Sequence, residues 1–190
     1  MTALLVFRIY IPFAAGYYLS FGFRTINAVI APDLVRDIGI DAAGLGLLTS
    51  VYLLTFAAFQ IPLGVLLDRY GPKATQVLLL MFAALGAYLF ARAGSVEGLI
   101  AGRALIGFGV SGCLMASLKA FAEWFPRRHL PLVNGVTFMV GGIGAMSSTA
   151  PVEAVLGVTD WRGVFLGMAA ATVGAAVLIA AAVPGRTERP

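Results

Sequence analysis

The sequence predicts an all-α, polytopic membrane protein with six transmembrane helices arranged as a 3+3 inverted repeat. Composition is the first reason: 60% of the 190 residues are hydrophobic and 12% are charged, with a mean hydropathy of +0.94. Soluble domains run near half apolar and about a quarter charged, so a chain this oily needs lipid as its solvent. The second reason is length, because a bilayer core of about 30 Å takes roughly 20 apolar residues per helical crossing. Six stretches of that kind follow one another, separated by short polar turns. A third reason is an echo between two of those turns, Asp68-Arg69-Tyr70-Gly71 and Asp160-Trp161-Arg162-Gly163. They hold matching places in the first and second groups of three helices but fall on opposite sides of the membrane, as an inverted repeat requires.

Helix 1 is predicted over about 7–31, stopping at Pro32-Asp33, and an acidic loop with Asp33, Asp37 and Asp41 follows. The apolar run from Leu4 to Ile30 is too long for a signal-peptide core and has no small-residue cleavage site, so it is expected to be retained. Helix 2, about 44–67, ends in a polar turn containing two helix breakers, Gly71 and Pro72. Helices 3 and 4 are predicted over about 74–91 and 97–118, joined at Gly94-Ser95. The polar segment Lys119–His129 is expected to lie along the membrane surface. Helices 5 and 6 are predicted over about 130–156 and 161–183, and the whole chain, 1–190, is read as one bundle.

Lys and Arg set the orientation. With the N-terminus in the cytoplasm, Arg8, Arg69, Lys73, Lys119, Arg127, Arg128, Arg186 and Arg189 fall inside. Arg36, Arg92 and Arg162 fall outside, together with Asp33, Asp37, Asp41, Glu97 and Asp160. The positive-inside rule then puts both termini in the cytoplasm and the chain in the cell (inner) membrane. The net charge of +4 is scattered among these turns rather than gathered in a stripe, so no nucleic-acid partner is expected. One cysteine, Cys113, and one histidine, His129, argue against an intrachain disulfide and a metal site, and no cofactor is expected. No Ser–His or paired-acid constellation supports an enzyme.

Polar side chains concentrate in helices 1, 2, 4 and 5, while helices 3 and 6 read as almost wholly apolar through their centres, with Thr172 the main exception. On helix 1, Tyr10, Tyr17, Ser20, Arg24 and Asn27 recur at helical spacing on one face, which should look onto protein or water rather than acyl chains. Helix 2 carries a sparser set, Thr49, Tyr52 and Gln60. Helix 5 carries Asn134, Thr137, Gly141, Gly144 and Ser148, a stripe suited to close helix packing. Arg24 and Arg103 both lie roughly 10 Å below the outer ends of their helices. An intramembrane arginine costs about 2.5–3.5 kcal/mol even on permissive scales, and guanidinium forks match carboxylate and phosphate oxygens. The candidate substrate-binding residues are therefore Arg24, Asn27, Tyr17, Gln60 and Arg103. A structural ion pair is the competing role, with Glu153 at a suitable depth to pair with Arg103 or to take part in coupling.

The turn Gly64-Val65-Leu66-Leu67-Asp68-Arg69-Tyr70-Gly71-Pro72-Lys73 resembles the major facilitator superfamily signature G-x-L-x-D-R-x-G-R-K, departing at Pro72. In helix 4, Leu99, Arg103, Gly107 and Gly109 resemble the family pattern L-x-x-x-R-x-x-Q-G-x-G, with Ile106 in place of the polar residue. The resemblance implies the N-terminal six-helix half of a transporter, with Gly64, Asp68, Arg69, Gly71 and Lys73 acting as a conformational latch. In that latch Gly64 should let another helix approach, and Asp68 should cap a helix or pair with a basic neighbour. It implies that helices 1, 2, 4 and 5 contribute to the cavity while 3 and 6 face lipid. It also associates Arg103 with proton coupling or structural pairing. The antiporter motif of helix 5 keeps only Ala150-Pro151, which speaks against drug efflux. The segment Phe23-Arg24-Thr25, with Asn27 and Ala31-Pro32-Asp33, looks closest to bacterial facilitators of unassigned or organic-anion substrates.

The expected function is secondary transport of a small solute, an organic anion, with this chain supplying one half. The expected partners are the lipid bilayer, the solute and a second six-helix half, either a C-terminal half or another copy. The alternatives are a truncated or non-transporting membrane protein, or an efflux-type half for a neutral or cationic compound.

Overall fold

A computed structural model describes residues 3–185; Arg186 and Arg189 of the predicted inner cluster lie outside them. Every element among the described residues is helical. Five helices are long and apolar enough to cross a membrane: Ala3–Ile38, Gln60–Arg92, Val96–Trp124, Arg127–Leu156 and Trp161–Ala182. A sixth, Ala42–Ala58, is shorter. Continuous as it is in hydrogen bonding, Gln60–Arg92 is two helices, because Gly71 within it has φ 79° and ψ 169°. Only glycine adopts such a conformation without strain, and Pro72 starts the next helix with the ring-fixed φ that suits a first turn. The chain therefore crosses as α1 (Ala3–Ile38), α2 (residues 42–70, with a joint at Phe59), α3 (residues 72–92), α4 (Val96–Trp124), α5 (Arg127–Leu156) and α6 (Trp161–Ala182).

Two expected boundaries move. Pro32 does not end α1; the helix runs through it to Ile38 and stops at Gly39, whose φ of 73° makes a left-handed cap. A proline removes one helical hydrogen bond, which α1 tolerates, whereas the left-handed residue redirects the chain. Similarly, Lys119–His129 is not a surface segment throughout. Helix continues from Cys113 to Trp124 and ends before Pro126.

At one end of the bundle, three helices begin in the same way. The side chains of Asp41, Ser95 and Asp160 accept from the backbone N–H groups of Gly44, Gly98 and Gly163. Each cap satisfies a donor that the first helical turn would otherwise leave open. At this end the Trp161 indole N–H also donates to Asp37 at 3.0 Å, tying the finish of α1 to the start of α6. At the opposite end Lys73 donates to the Val183 carbonyl beyond α6, and Lys119 pairs with Asp68.

The packing order carries the repeat. The helix α1 packs on α5 and α6, α4 packs on α2 and α3, and α3 and α6 pack on each other. Exchange the two triplets, and α1–α5 becomes α4–α2, α1–α6 becomes α4–α3, and α3–α6 maps onto itself. Glycines allow the two lateral contacts to be close. A Cβ on Gly107 of α4 would overlap the Tyr52 carbonyl oxygen of α2, and one on Gly144 of α5 would overlap the Tyr18 carbonyl oxygen of α1. The core between α1, α3 and α6 is aromatic, with Phe90 stacked on Phe165 at 4.2 Å and edge-on to the fully buried Trp161.

Three crossings are interrupted. One break is the Phe59 joint, a second is at Ser111-Gly112 in α4, and a third is at Ser148-Thr149 in α5. Gln60 donates to the Ser111 carbonyl at 3.2 Å, so the breaks of α2 and α4 are bonded to one another.

Overpacking a tight contact costs about 1–3 kcal/mol. Gly107→Ala should therefore lower the thermal midpoint of the detergent-solubilised chain, and Gly142→Ala, which adds a methyl to open space, should leave it unchanged or raised.

Candidate functional site

A cleft of about 470 Å³ opens beside α1 and is lined by Arg24, Thr25, Asn27, Leu45, Thr49 and Thr149, among others. Three crossings build it. Arg24 and Asn27 project from α1 one turn apart, Leu45 and Thr49 come from the first half of α2, and Thr149 comes from the break in α5. The remaining wall is mostly aliphatic, including Ala28, Val29 and Ala31.

The Arg24 side chain is exposed into this space. Its guanidinium lies 5.2 Å from the ring centroids of both Phe21 and Phe56, a setting that holds a cation by its attraction to the ring faces. No carboxylate pairs with it among the described residues. Asn27 is buried, with 8% of its surface exposed, yet neither its amide oxygen nor its amide nitrogen has a hydrogen-bond partner. An unpaired buried amide is costly, and here it stands at the wall of a cleft. The threonines are different: Thr25, Thr49 and Thr149 donate to backbone carbonyls of their own helices, and Thr25 also reaches the Ala145 carbonyl of α5.

Of the five residues expected to bind solute, the fold brings Arg24 and Asn27 together and holds the other three elsewhere. Tyr17 is buried against Gly141 of α5 and edge-on to Phe21 at 5.1 Å, within the α1–α5 contact. Gln60 bonds across to α4 at the paired breaks. Arg103 is fully buried. Its Nη1 donates to the Phe23 carbonyl at 2.9 Å and its guanidinium lies 4.8 Å from the Tyr52 ring centroid, but Nε and Nη2 have no partner. Glu153 does not supply the missing partner in this structure: it is exposed in the short helix Ala150–Leu156, and no ion pair joins it to Arg103.

The signature turn lies at the other end of the molecule. Asp68 is exposed and accepts from Lys119 of α4, Arg69 rests 5.5 Å from the Tyr70 ring centroid, and Lys73 donates to the Val183 carbonyl. The expected close approach at Gly64 is absent within the described residues. This glycine is exposed and a Cβ there would meet nothing within 4 Å, because the face it occupies points away from the other five crossings. Among the described residues no group of three or more His, Cys, Asp or Glu could hold a metal ion.

Several buried polar residues, among them Thr75, Gln76, Ser111 and Ser117, went unseen in the sequence. Gln76 of α3 is fully buried at the junction with α1 and α4, where its amide N–H donates to the Cys113 sulfur at 3.0 Å while its oxygen lacks a partner. Gln76 lies in the first turns of α3, outside the apolar centre of that helix. It falls inside the predicted helix 74–91, but no periodic polar face marks it, and its burial beside Gly16 and Gly112 is a tertiary contact.

The sequence model of the Major Facilitator Superfamily matches residues 13–190. Among curated proteins, the chain is 27% identical over 164 residues to the "Probable sulfoacetate transporter SauU" of Cupriavidus necator, covering 86% of this chain and 38% of that one. It is 33% identical over 133 residues to the nitrate/nitrite transporter NrtP of a Picosynechococcus species, covering 70% of this chain and 25% of that one. A third relative, the hexuronate transporter of Escherichia coli, is 26% identical over 151 residues, covering 80% of this chain and 35% of the other. The chain thus spans less than half the length of these relatives.

A double-mutant cycle over Tyr52→Leu and Arg103→Leu, read from thermal unfolding in detergent, should return a coupling of about 0.5–2 kcal/mol for the guanidinium–ring contact. A coupling near zero would mean that Arg103 is held by the Phe23 carbonyl alone. With the match spanning nearly the whole chain, the six crossings and the signature turn agree on one assignment: this multi-pass membrane protein belongs to the Major Facilitator Superfamily, with the features of its N-terminal six-helix half.

Proposed function

We propose that this chain forms one six-helix half of a secondary transporter for a small anion, an organic acid, with Arg24 as the anion-binding cation and Asn27 beside it. The observation that carries this reading is the pairing of an exposed guanidinium without a carboxylate partner and a buried amide without any partner, in one cleft. Fixed cations need counter-charge in a low-dielectric setting, and a carboxylate or sulfonate supplies it with two or three acceptor oxygens. The named substrates of the three relatives, sulfoacetate, nitrate or nitrite, and hexuronate, are anions, which supports the same class.

The second half, a C-terminal half or another copy of this bundle, completes the site. The cleft lies at the side of α1 and opens outward, so its missing wall comes from that partner. In this reading Tyr17 and Gln60 support the site through packing and bridging, rather than by touching solute. Gly64, Asp68, Arg69, Gly71 and Lys73 form the latch, with the open face at Gly64 receiving a helix of the partner. Arg103 is the group left for coupling, and pairing with Glu153 requires the segment Ala150–Leu156 to move about the break at Ser148-Thr149. The chain sits in the inner membrane with both termini cytoplasmic, following the bias of Lys and Arg towards the end that holds the signature turn.

The test is uptake of labelled organic anions by cells expressing this chain together with its second half. A hydrogen bond to a charged group is worth about 1.5–3 kcal/mol, so Arg24→Gln should weaken apparent affinity by roughly 10- to 100-fold. Asn27→Leu, which removes an unpaired amide, should impair uptake while raising thermal stability. Unchanged uptake in both variants would exclude this cleft as the anion site.

A further inference from the structure

Three basic residues stand at the end of the bundle opposite the signature turn: Arg36, Arg92 and Arg162. Arg36 is neutralised by Asp33 at 2.8 Å and Asp37 at 3.0 Å. The other two line one cleft of about 410 Å³, together with Gly94, Asp160, Gly163 and Leu166. It lies where the end of α3 meets the start of α6. Arg92, the last residue of α3, is exposed and makes no ion pair or hydrogen bond among the described residues. Arg162, in the first turn of α6, rests its guanidinium 4.0 Å from the Trp161 ring centroid, and its Nη1 is buried without a partner. The acids beside them are engaged. Asp160 caps α6 by accepting from the Gly163 N–H. Asp37 is held below the usual carboxylate range first by the Trp161 indole and then by Arg36, with Arg162 the smallest contributor.

We propose that this cleft binds the phosphate of an anionic phospholipid, held between Arg92 and Arg162. Two arginines and one carboxylate leave a single positive charge in the cleft, which a phosphodiester with one negative charge balances. The Trp161 ring fixes Arg162 through its face, which leaves guanidinium N–H groups for phosphate oxygens. The choice of a lipid phosphate over a free one rests on what lies beneath. On α3, Leu89 and Leu85 follow Arg92 towards the middle of the bundle at steps of three and four, and both are exposed. On α6, Leu166, Val173 and Val177 follow Arg162 at steps of four, seven and four, and all three are exposed. Leu166 also lines the cleft, so the charged end and the apolar track are continuous. Two cations above two exposed apolar tracks match a phospholipid in both of its parts, the charged head and the acyl chains. A free phosphate uses the cations alone.

The experiment places a photoreactive benzophenone side chain at position 166 of the full chain, in nanodiscs of equal parts phosphatidylglycerol and phosphatidylcholine, and counts the adducts by mass spectrometry. The expected result is an excess of phosphatidylglycerol adducts of about fivefold or more. Arg92→Gln and Arg162→Gln should each lower that excess several-fold. Arg36→Gln, which removes the same charge from the same end but from a residue already paired, should leave it unchanged. Because Arg92 is exposed, the thermal midpoint of Arg92→Gln should match the parent, which separates lost binding from lost folding. Inorganic phosphate in excess should not lower the yield of lipid adducts. Equal numbers of the two adducts, no lipid adduct, or an equal response to Arg36→Gln and Arg92→Gln would each overturn the proposal. So would displacement by inorganic phosphate, or a cross-link to a second copy or another protein. None of these outcomes depends on whether Arg24 binds a transported anion.

Discussion

Every backbone polar group that enters the hydrocarbon must find its partner inside the protein, and the rest of this structure follows from how that demand is met. A straight apolar helix meets it without help. Three of the six crossings are not straight, and each break frees carbonyl or amide groups at a depth where water is scarce. The remedy is local and specific. Gln60 bonds the carbonyl of Ser111, the Ser111 hydroxyl bonds back to Phe108, and the hydroxyls of Ser148 and Thr149 bond the carbonyls of Gly144 and Met146. Placing the breaks of α2 and α4 side by side lets one glutamine serve both. The irregularities are thus supported parts of the fold.

The breaks of α2 and α5 obey the same symmetry as the packing. Each lies roughly five turns after its helix begins, the first starting at the end capped by Asp41 and the second at the opposite end. A rotation that exchanges the two triplets therefore carries one joint near the other. The contacts are less symmetric than the joints. In α4–α2 the close glycine belongs to α4, whereas in α5–α1 it belongs to α5, so backbone proximity is preserved while the residue providing it changes sides. Geometry outlasts residue identity here, and the weak echo between the two polar turns in the sequence has the same cause.

The number of crossings and the polar face of α1 were legible in the sequence because both depend on periodic, local signals. The end of α1 was not. Pro32 is a strong local signal but costs only one hydrogen bond, and the stop that operates is the left-handed Gly39 seven residues later. Arg24 and Asn27 were found by spacing, and their sharing of a cleft follows from their being one turn apart on one helix. Tyr17 and Gln60 have the same spacing signal and a different fate. Whether a polar residue on the inner face meets a cavity or a neighbouring helix depends on the distance between helices, set by residues such as Gly141 that lie far away in the chain. Gln76 was missed for a related reason. It lies within the predicted helix, and its burial depends on the approach of α1 and α4 at Gly16 and Gly112.

The two intramembrane arginines divide the cost of charge between them. Arg103 is enclosed, with one carbonyl and one aromatic face as its compensation and two N–H groups unpaired. Arg24 is open, with two aromatic faces that hold a cation without neutralising it. An enclosed charge left partly unsatisfied favours any rearrangement that brings it an acceptor, whereas an open charge between rings can take an anion with little rearrangement. Tyr52 stands at the contact between α2 and α4, its ring beneath Arg103 and its hydroxyl turned to the Ser20 carbonyl of α1. Ser20 is one turn before Arg24, so Tyr52 links this part of α1 to Arg103. An aromatic ring, rather than a carboxylate, makes the contact with Arg103. A salt bridge would hold Arg103 in one position, while a ring face tolerates displacement across it at small energetic cost.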